Sequence, residues 1–144
     1  MKFGLRILFD RLISAISRGK PVETIAKTAV FNFCQKYGES FFAQVLKVFK
    51  DIISENTGNV SLLRGAILVL SEYCKNLNGA FLRNYQEELV EIIKCHVYTH
   101  DGMFRSSVFY SLRVISERIG EIGLLKNTLN EVFDKIRECS EEDP

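Results

Sequence analysis

The sequence has no tryptophan and only two prolines, Pro21 and Pro144. Proline removes a backbone donor and clashes with the preceding turn of a helix. Its absence from residue 22 to residue 143 leaves that whole stretch free of helix breakers. No apolar run approaches the ~18 residues of a membrane-spanning helix. None of the four cysteines forms a Cys-x-x-Cys pair. Gly-x-Ser-x-Gly, His-Glu-x-x-His and the EF-hand calcium loop are all missing. Disorder is excluded as well, because 47% of the residues are hydrophobic. What is present is abundant phenylalanine, leucine, isoleucine and glutamate, over a length that supports one domain with a real core. That balance favours an all-α protein over an all-β one.

An excess of one charge is lacking in total, the net being +1 at pH 7, but not along the chain. Residues 1–50 hold nine Lys/Arg against three Asp/Glu, and residues 51–120 hold seven against eight. Residues 121–144 hold three against seven. The chain is basic first and acidic last, and such a gradient steers partners. Cys34, Cys74 and Cys95 sit in or beside apolar stretches, where a free thiol behaves as a small hydrophobe. With Cys139 they are expected to stay reduced. Arg6, Asp10 and Arg11 interrupt any apolar signal core, and Asp10 counts against a mitochondrial presequence. The expectation is a cytoplasmic or nuclear chain.

Apolar periodicity marks helices throughout. Leu5, Leu8, Leu12, Ala15 and Ile16 share a face over residues 3–17. Pro21 opens a second helix with the stripe Val22, Ile25, Ala26, Ala29, Val30 and Phe33, which stops at Gly38. A third helix covers residues 40–54, a fourth residues 60–78, a fifth residues 84–98, a sixth residues 103–119 and a seventh residues 121–137. Residues 1–139 form a single domain on this reading, and residues 140–144 an acidic disordered tail.

Gly38, Gly79 and Gly120 stand at equal intervals of 41 residues. In that register Val22, Leu63 and Phe104 coincide, as do Ala26, Ile67 and Val108, and Phe33, Cys74 and Ile115. Arg64 coincides with Arg105, where the first unit has Glu23. Each glycine is expected to end a helix by adopting positive φ. Two helices per repeat of about 40 residues predicts a right-handed α-α superhelix of three helical hairpins plus a closing helix.

The segments "VSLLRGAILVLSEYCKNLNG" (60–79) and "DGMFRSSVFYSLRVISERIG" (101–120) resemble the second helix of HEAT repeats. Leu63-Arg64 and Phe104-Arg105 match that family's apolar-arginine pair, and Asp101 its acidic turn. The resemblance implies that the arginines pack their stems on a neighbouring helix and bond turn acids, as a ladder through the stack. The second unit has Asn56 and Asn59 in place of the acid, so the ladder should be incomplete. More narrowly, residues 18–119 resemble the last HEAT repeats of the transport and Golgi organisation protein 6 family. That family includes the yeast factor for RNA polymerase II assembly and nuclear import. The resemblance implies a role in RNA polymerase II biogenesis or in secretion.

No constellation announces a reaction. Cys95, His96 and His100 are the one His/Cys cluster, but a helix ending near Tyr98 would spoil the i, i+4 spacing and no fourth ligand is evident. No catalytic residue, metal or cofactor is expected, and Glu87, Glu88 and Glu91 read as a solvated face. Lys2, Arg6, Arg11, Arg18, Lys20, Lys27 and Lys36 could mark a basic interaction surface. They are dispersed over two helices without a nucleic-acid reading motif, so an acidic protein partner is the better fit. The first helix carries Leu5, Ile7, Leu8 and Phe9 on more than one face and reads as an uncapped end. The expected function is a non-enzymatic protein-interaction scaffold. The alternative is a nucleic-acid-binding helical repeat using the basic end.

Overall fold

The computed structural model describes residues 2–94, 96, 101–120, 126–128, 130–131 and 134, without the side chains of Lys2, Phe3 and Lys20. Among the described residues all regular structure is helical. The helices are α1 (Lys2–Ser17), α2 (Lys20–Tyr37), α3 (Phe42–Glu55), α4 (Val60–Lys75), α5 (Gly79–Leu82), α6 (Gln86–Lys94) and α7 (Gly102–Ile119). A single 3-10 turn, Arg83–Tyr85, joins α5 to α6. Residues 126–128, 130–131 and 134 are helical too, inside the seventh helix expected from the sequence. The acidic tail at 140–144 lies outside the described residues.

Polar side chains set several helix starts. Asn59 Oδ1 accepts from the Leu62 N–H at 3.1 Å to begin α4. Asp101 Oδ1 accepts from the Phe104 N–H at 2.8 Å to begin α7. Each satisfies one of the donors that a helix N-terminus leaves without an intrahelical partner. Asp101 therefore acts as an N-cap.

Of the three evenly spaced glycines only one does the job expected of all of them. Gly120 alone ends its helix in the left-handed region, with φ 83°. Gly38 ends α2 with an ordinary helical φ of −39°. Gly79 ends nothing: α4 stops at Lys75, and Asn78 caps a new helix, accepting from the Ala80 N–H at 2.8 Å. Gly79 is glycine because α5 abuts the end of α7, where a Cβ would lie 2.1 Å from the Arg118 carbonyl oxygen. Gly38 and Gly79 thus share a close approach to the next unit, at Leu77 and at Arg118, which Gly120 lacks.

α4 lies at the centre. It runs against α1 in the opposite direction: Ser17 Oγ donates to Ser61 O at 3.2 Å, Gly65 meets Ile13, and the Phe9 and Tyr73 rings lie 6.1 Å apart. A Cβ at Gly65 would fall 2.8 Å from the Ile13 carbonyl oxygen, so glycine permits this crossing. A different face of α4 runs alongside α7 in the same direction. Arg64 Nε donates to Ser107 Oγ at 3.0 Å, and Arg118 Nε donates to Leu77 O at 2.6 Å. The end of α2 meets the end of α4, where Tyr73 donates its hydroxyl to Gly38 O at 2.7 Å.

Aromatic rings tie the helices together. Phe9, 1% exposed, packs on Phe33 of α2, Phe49 of α3 and Tyr73 of α4. Phe42 stacks on Tyr73 at 5.7 Å and meets Phe81 and Tyr85 edge-on. The first helix, expected to be an uncapped end, is buried on one face and open at Ile7. Leu5 and Phe9 are buried, because α1 fits between α2, α3 and α4, and only Ile7 of that group is exposed, at 54%. Ion pairs span the other layer: Arg6 reaches Glu55 from α1 to α3, and Lys50 reaches Glu88 from α3 to α6.

Candidate interaction surface

Because α4 and α7 run side by side in one direction, their outward stripes form a continuous strip. α4 contributes Arg64, Leu68, Glu72 and Lys75, each three or four residues from the next, as one helix face requires. α7 contributes Met103, Ser106, Tyr110 and Arg113. Arg64, Leu68, Gly102, Met103, Ser106, Ser107 and Tyr110 line an open groove of about 530 Å³. Met103 stands 68% exposed at its rim. Exposed methionine is adaptable and apolar, a common feature of binding surfaces.

Tyr110 is the electrostatic centre of the strip. Lys75 Nζ donates to its hydroxyl at 3.2 Å and sits 5.8 Å from the ring centroid, while the Arg113 guanidinium lies 5.6 Å from the same centroid. The Tyr110 hydroxyl and nearby Glu72 hold Lys75 above the ordinary lysine value. Two cations thus flank one aromatic ring, an arrangement suited to acidic or aromatic groups of a partner.

Arg64 was expected to bond a turn carbonyl or acid. Its Nε donates instead to Ser107 Oγ on the flank of α7, and its side chain is half-buried at the groove. The turn carbonyls are taken by two arginines that the sequence did not single out. Arg118 donates to Leu77 O, and Arg83 Nε donates to Ile119 O at 3.1 Å. These carbonyls lie at or just beyond helix ends, where intrahelical partners run out. Arg105, aligned with Arg64, is exposed.

The basic N-terminal surface is smaller than its sequence count. Arg6 bonds both Asp10 and Glu55, and the Glu55 bond holds its guanidinium above the ordinary value. Lys27 pairs with Glu23 at 3.2 Å. Arg11, Arg18 and Lys36 are exposed, and Lys36 lies over the Tyr37 ring at 5.3 Å. The side chains of Lys2 and Lys20 lie outside the description.

The buried polar groups are structural in character. Burial pushes the Cys34 thiol up to about 12 and raises that of Cys74 further. Reactive cysteines need the opposite shift, toward the thiolate. Both are free thiols, and Cys34 Sγ points at Tyr73 O at 3.8 Å. Of the Cys95, His96 and His100 cluster only His96 is described. Its ring lies 5.4 Å from Phe104, its Nε2 is buried without a hydrogen-bond partner, and burial lowers its pKa. Tyr110, Met103 and Arg118 each left a sequence signal, being polar or flexible residues inside the apolar α7 pattern. No described helix is long and apolar enough to cross a membrane. No family model, curated protein or solved structure matches the chain.

Proposed function

We propose that this chain is a protein-interaction scaffold without a catalytic site, built as a HEAT-like stack of helical hairpins. The observation that carries this reading is the bonding between successive units at their ends. Tyr73 bonds Gly38 across 35 residues, and Arg118 bonds Leu77 across 41. Both link the end of one second-layer helix to the end of the next. Pairs α1/α2, α3/α4 and α6/α7 supply the hairpins, and the α4/α7 strip supplies the binding face. Buried thiols with raised pKa values support a binding role over nucleophilic chemistry. The resemblance to the terminal repeats of the transport and Golgi organisation protein 6 family extends the proposal to RNA polymerase II assembly or to secretion. Pairing of Arg6 and Lys27 with carboxylates favours a protein partner over nucleic acid.

The test is affinity capture followed by mass spectrometry, comparing wild type with Met103→Glu and Tyr110→Ala. Both side chains line the groove, and neither is fully buried. The expected result is a specific partner set lost from both variants at unchanged melting temperature. An unchanged set would remove the α4/α7 strip from the account. Steeply salt-dependent binding to generic DNA or RNA would replace it with the nucleic-acid reading.

A further inference from the structure

Arg64 is a half-buried cation that faces no carboxylate among the described residues. A guanidinium carries five N–H donors. Here Nε alone has a partner, the Ser107 hydroxyl on α7. Ser107 donates its own proton to Met103 O at 3.0 Å, so the oxygen that meets Arg64 is an acceptor. The bond fixes the arginine across the two helices, at the groove it lines. α4 and α7 hold one acid each, Glu72 and Glu117. Glu72 faces Lys75 at 3.7 Å, and Glu117 faces Arg113 at 4.0 Å. Glu72 is eight residues from Arg64, about 12 Å along the helix. Just before α7, Asp101 Oδ1 is taken by the Phe104 N–H. The other arginines of the helix junctions are engaged: Arg6 with Asp10 and Glu55, Arg83 and Arg118 with carbonyls near helix ends.

The chemistry of the groove then selects its occupant. No acid lines it, and beside Arg64 stand apolar Leu68 and Met103 and the hydroxyls of Ser106 and Tyr110. One guanidinium matches one carboxylate, whereas phosphate recognition gathers several arginines. The hydroxyls favour an extended chain. Its backbone N–H and C=O groups are free to bond them, whereas a helix uses its own internally. Leu68 and Met103 also make too short a stripe for a docked helix, which needs anchors over about two turns. Spacing agrees. Side chains two residues apart on an extended chain share a face and lie about 6.6 Å apart. Arg64 and Leu68 are one helical turn apart, about 6 Å along α4.

We propose that this groove takes an extended segment of a partner protein, with an aspartate or glutamate on Arg64 and the apolar side chain two residues away between Leu68 and Met103. The inference rests on the α4/α7 strip being the binding face and adds what that face recognises.

The experiment is selection from phage-displayed random heptapeptides on the full chain, on Arg64→Glu and on Met103→Glu. Wild type should enrich peptides with Asp or Glu two residues from an apolar side chain. Arg64→Glu should enrich Lys or Arg at the acidic place instead. Synthetic copies of the wild-type peptides, read by fluorescence anisotropy, should bind Arg64→Gln at least about tenfold more weakly. Arg64→Lys should fall between, since it keeps the charge without the fork. Circular dichroism checks that every variant is folded. An acid preference that persists in Arg64→Glu overturns the proposal. Tighter binding of a peptide with phosphoserine in place of the acid also overturns it, and assigns the arginine to phosphate. Enriched peptides that lack an acid yet are lost on Met103→Glu overturn it while leaving the strip as the binding face. No enrichment, or peptides indifferent to Met103→Glu, would remove the strip as well.

Discussion

The fully buried ring of Tyr73 donates its hydroxyl to the carbonyl of Gly38, 2.7 Å away, and so joins the ends of α4 and α2. The same ring packs on Phe9, Phe33 and Phe42, which come from α1, α2 and α3. Burial raises the hydroxyl pKa, so it stays a donor at any ordinary pH. Tyr73→Phe should keep the packing but leave the Gly38 carbonyl without its donor. The expected cost is about 1–3 kcal/mol in chemical denaturation. Tyr73→Ala should cost roughly 3–5 kcal/mol through the cavity it opens. Equal effects of the two substitutions would mean that the hydroxyl carries the junction and the ring little.

Gly79→Ala tests the close approach between α5 and α7. A Cβ would meet the Arg118 carbonyl oxygen at 2.1 Å, and backbone on both sides must move. A loss of at least about 1 kcal/mol is expected, in the range of other overpacking substitutions. Gly102→Ala serves as the control, since a Cβ there meets nothing within 4 Å. A neutral Gly79→Ala in thermal melts would show that α5 can slide away from α7 at little cost.

The helices were legible because their cause is local. Apolar residues recur every three or four positions, and Asn59, Asp101 and Pro21 mark starts through capping and fixed φ. Tyr73 and Phe9 were harder to place, because burial on every side depends on which helices converge there. Gly79 shows the limit most clearly. Its spacing from Gly38 and Gly120 marked a repeat, but a helix stop and a close contact leave the same residue in the sequence. The α4/α7 groove was not legible at all, since it exists only once two helices 41 residues apart lie side by side. Arg64 stood out in the sequence, but its bond to Ser107 lies on a helix flank and not in a turn.

Arg118 and Arg64 should differ in weight. Arg118 satisfies the Leu77 carbonyl beyond the end of α4, whereas Ser107, the partner of Arg64, also bonds Met103 O at 3.0 Å. Arg118→Ala should cost on the order of 1–2 kcal/mol and Arg64→Ala about half of that. Lysine at position 118 should recover only part, because it lacks the planar fork. Urea midpoints for the four proteins, wild type included, check the order. A larger loss at Arg64 would reverse it.

His96 should make stability fall on mild acidification. Its folded-state pKa lies below the ordinary 6.5 because burial disfavours the charged ring. Between those two values the unfolded chain binds the extra proton, so stability rises with pH across that window. The contribution of His96 is therefore fully present above about 6.5 and is lost as pH falls from there toward the folded value. His96→Phe should flatten the wild-type slope between pH 7.5 and pH 5.5, above the carboxylate range. It should also remove the partnerless Nε2. Parallel slopes for the two proteins would place the titration elsewhere.

The most direct test of the stacked-hairpin account is a set of three distances. Gln35, Asn76 and Glu117 are equivalent in the 41-residue register, and none is buried. They lie near the ends of α2, α4 and α7. Spin labels introduced pairwise as non-canonical amino acids leave the native cysteines untouched, and pulsed dipolar spectroscopy reads each separation. Packed helix axes lie about 8–10 Å apart. A stack predicts similar separations for 35–76 and 76–117, and a 35–117 separation close to their sum. Three nearly equal separations would place the helices around a single axis and contradict the account.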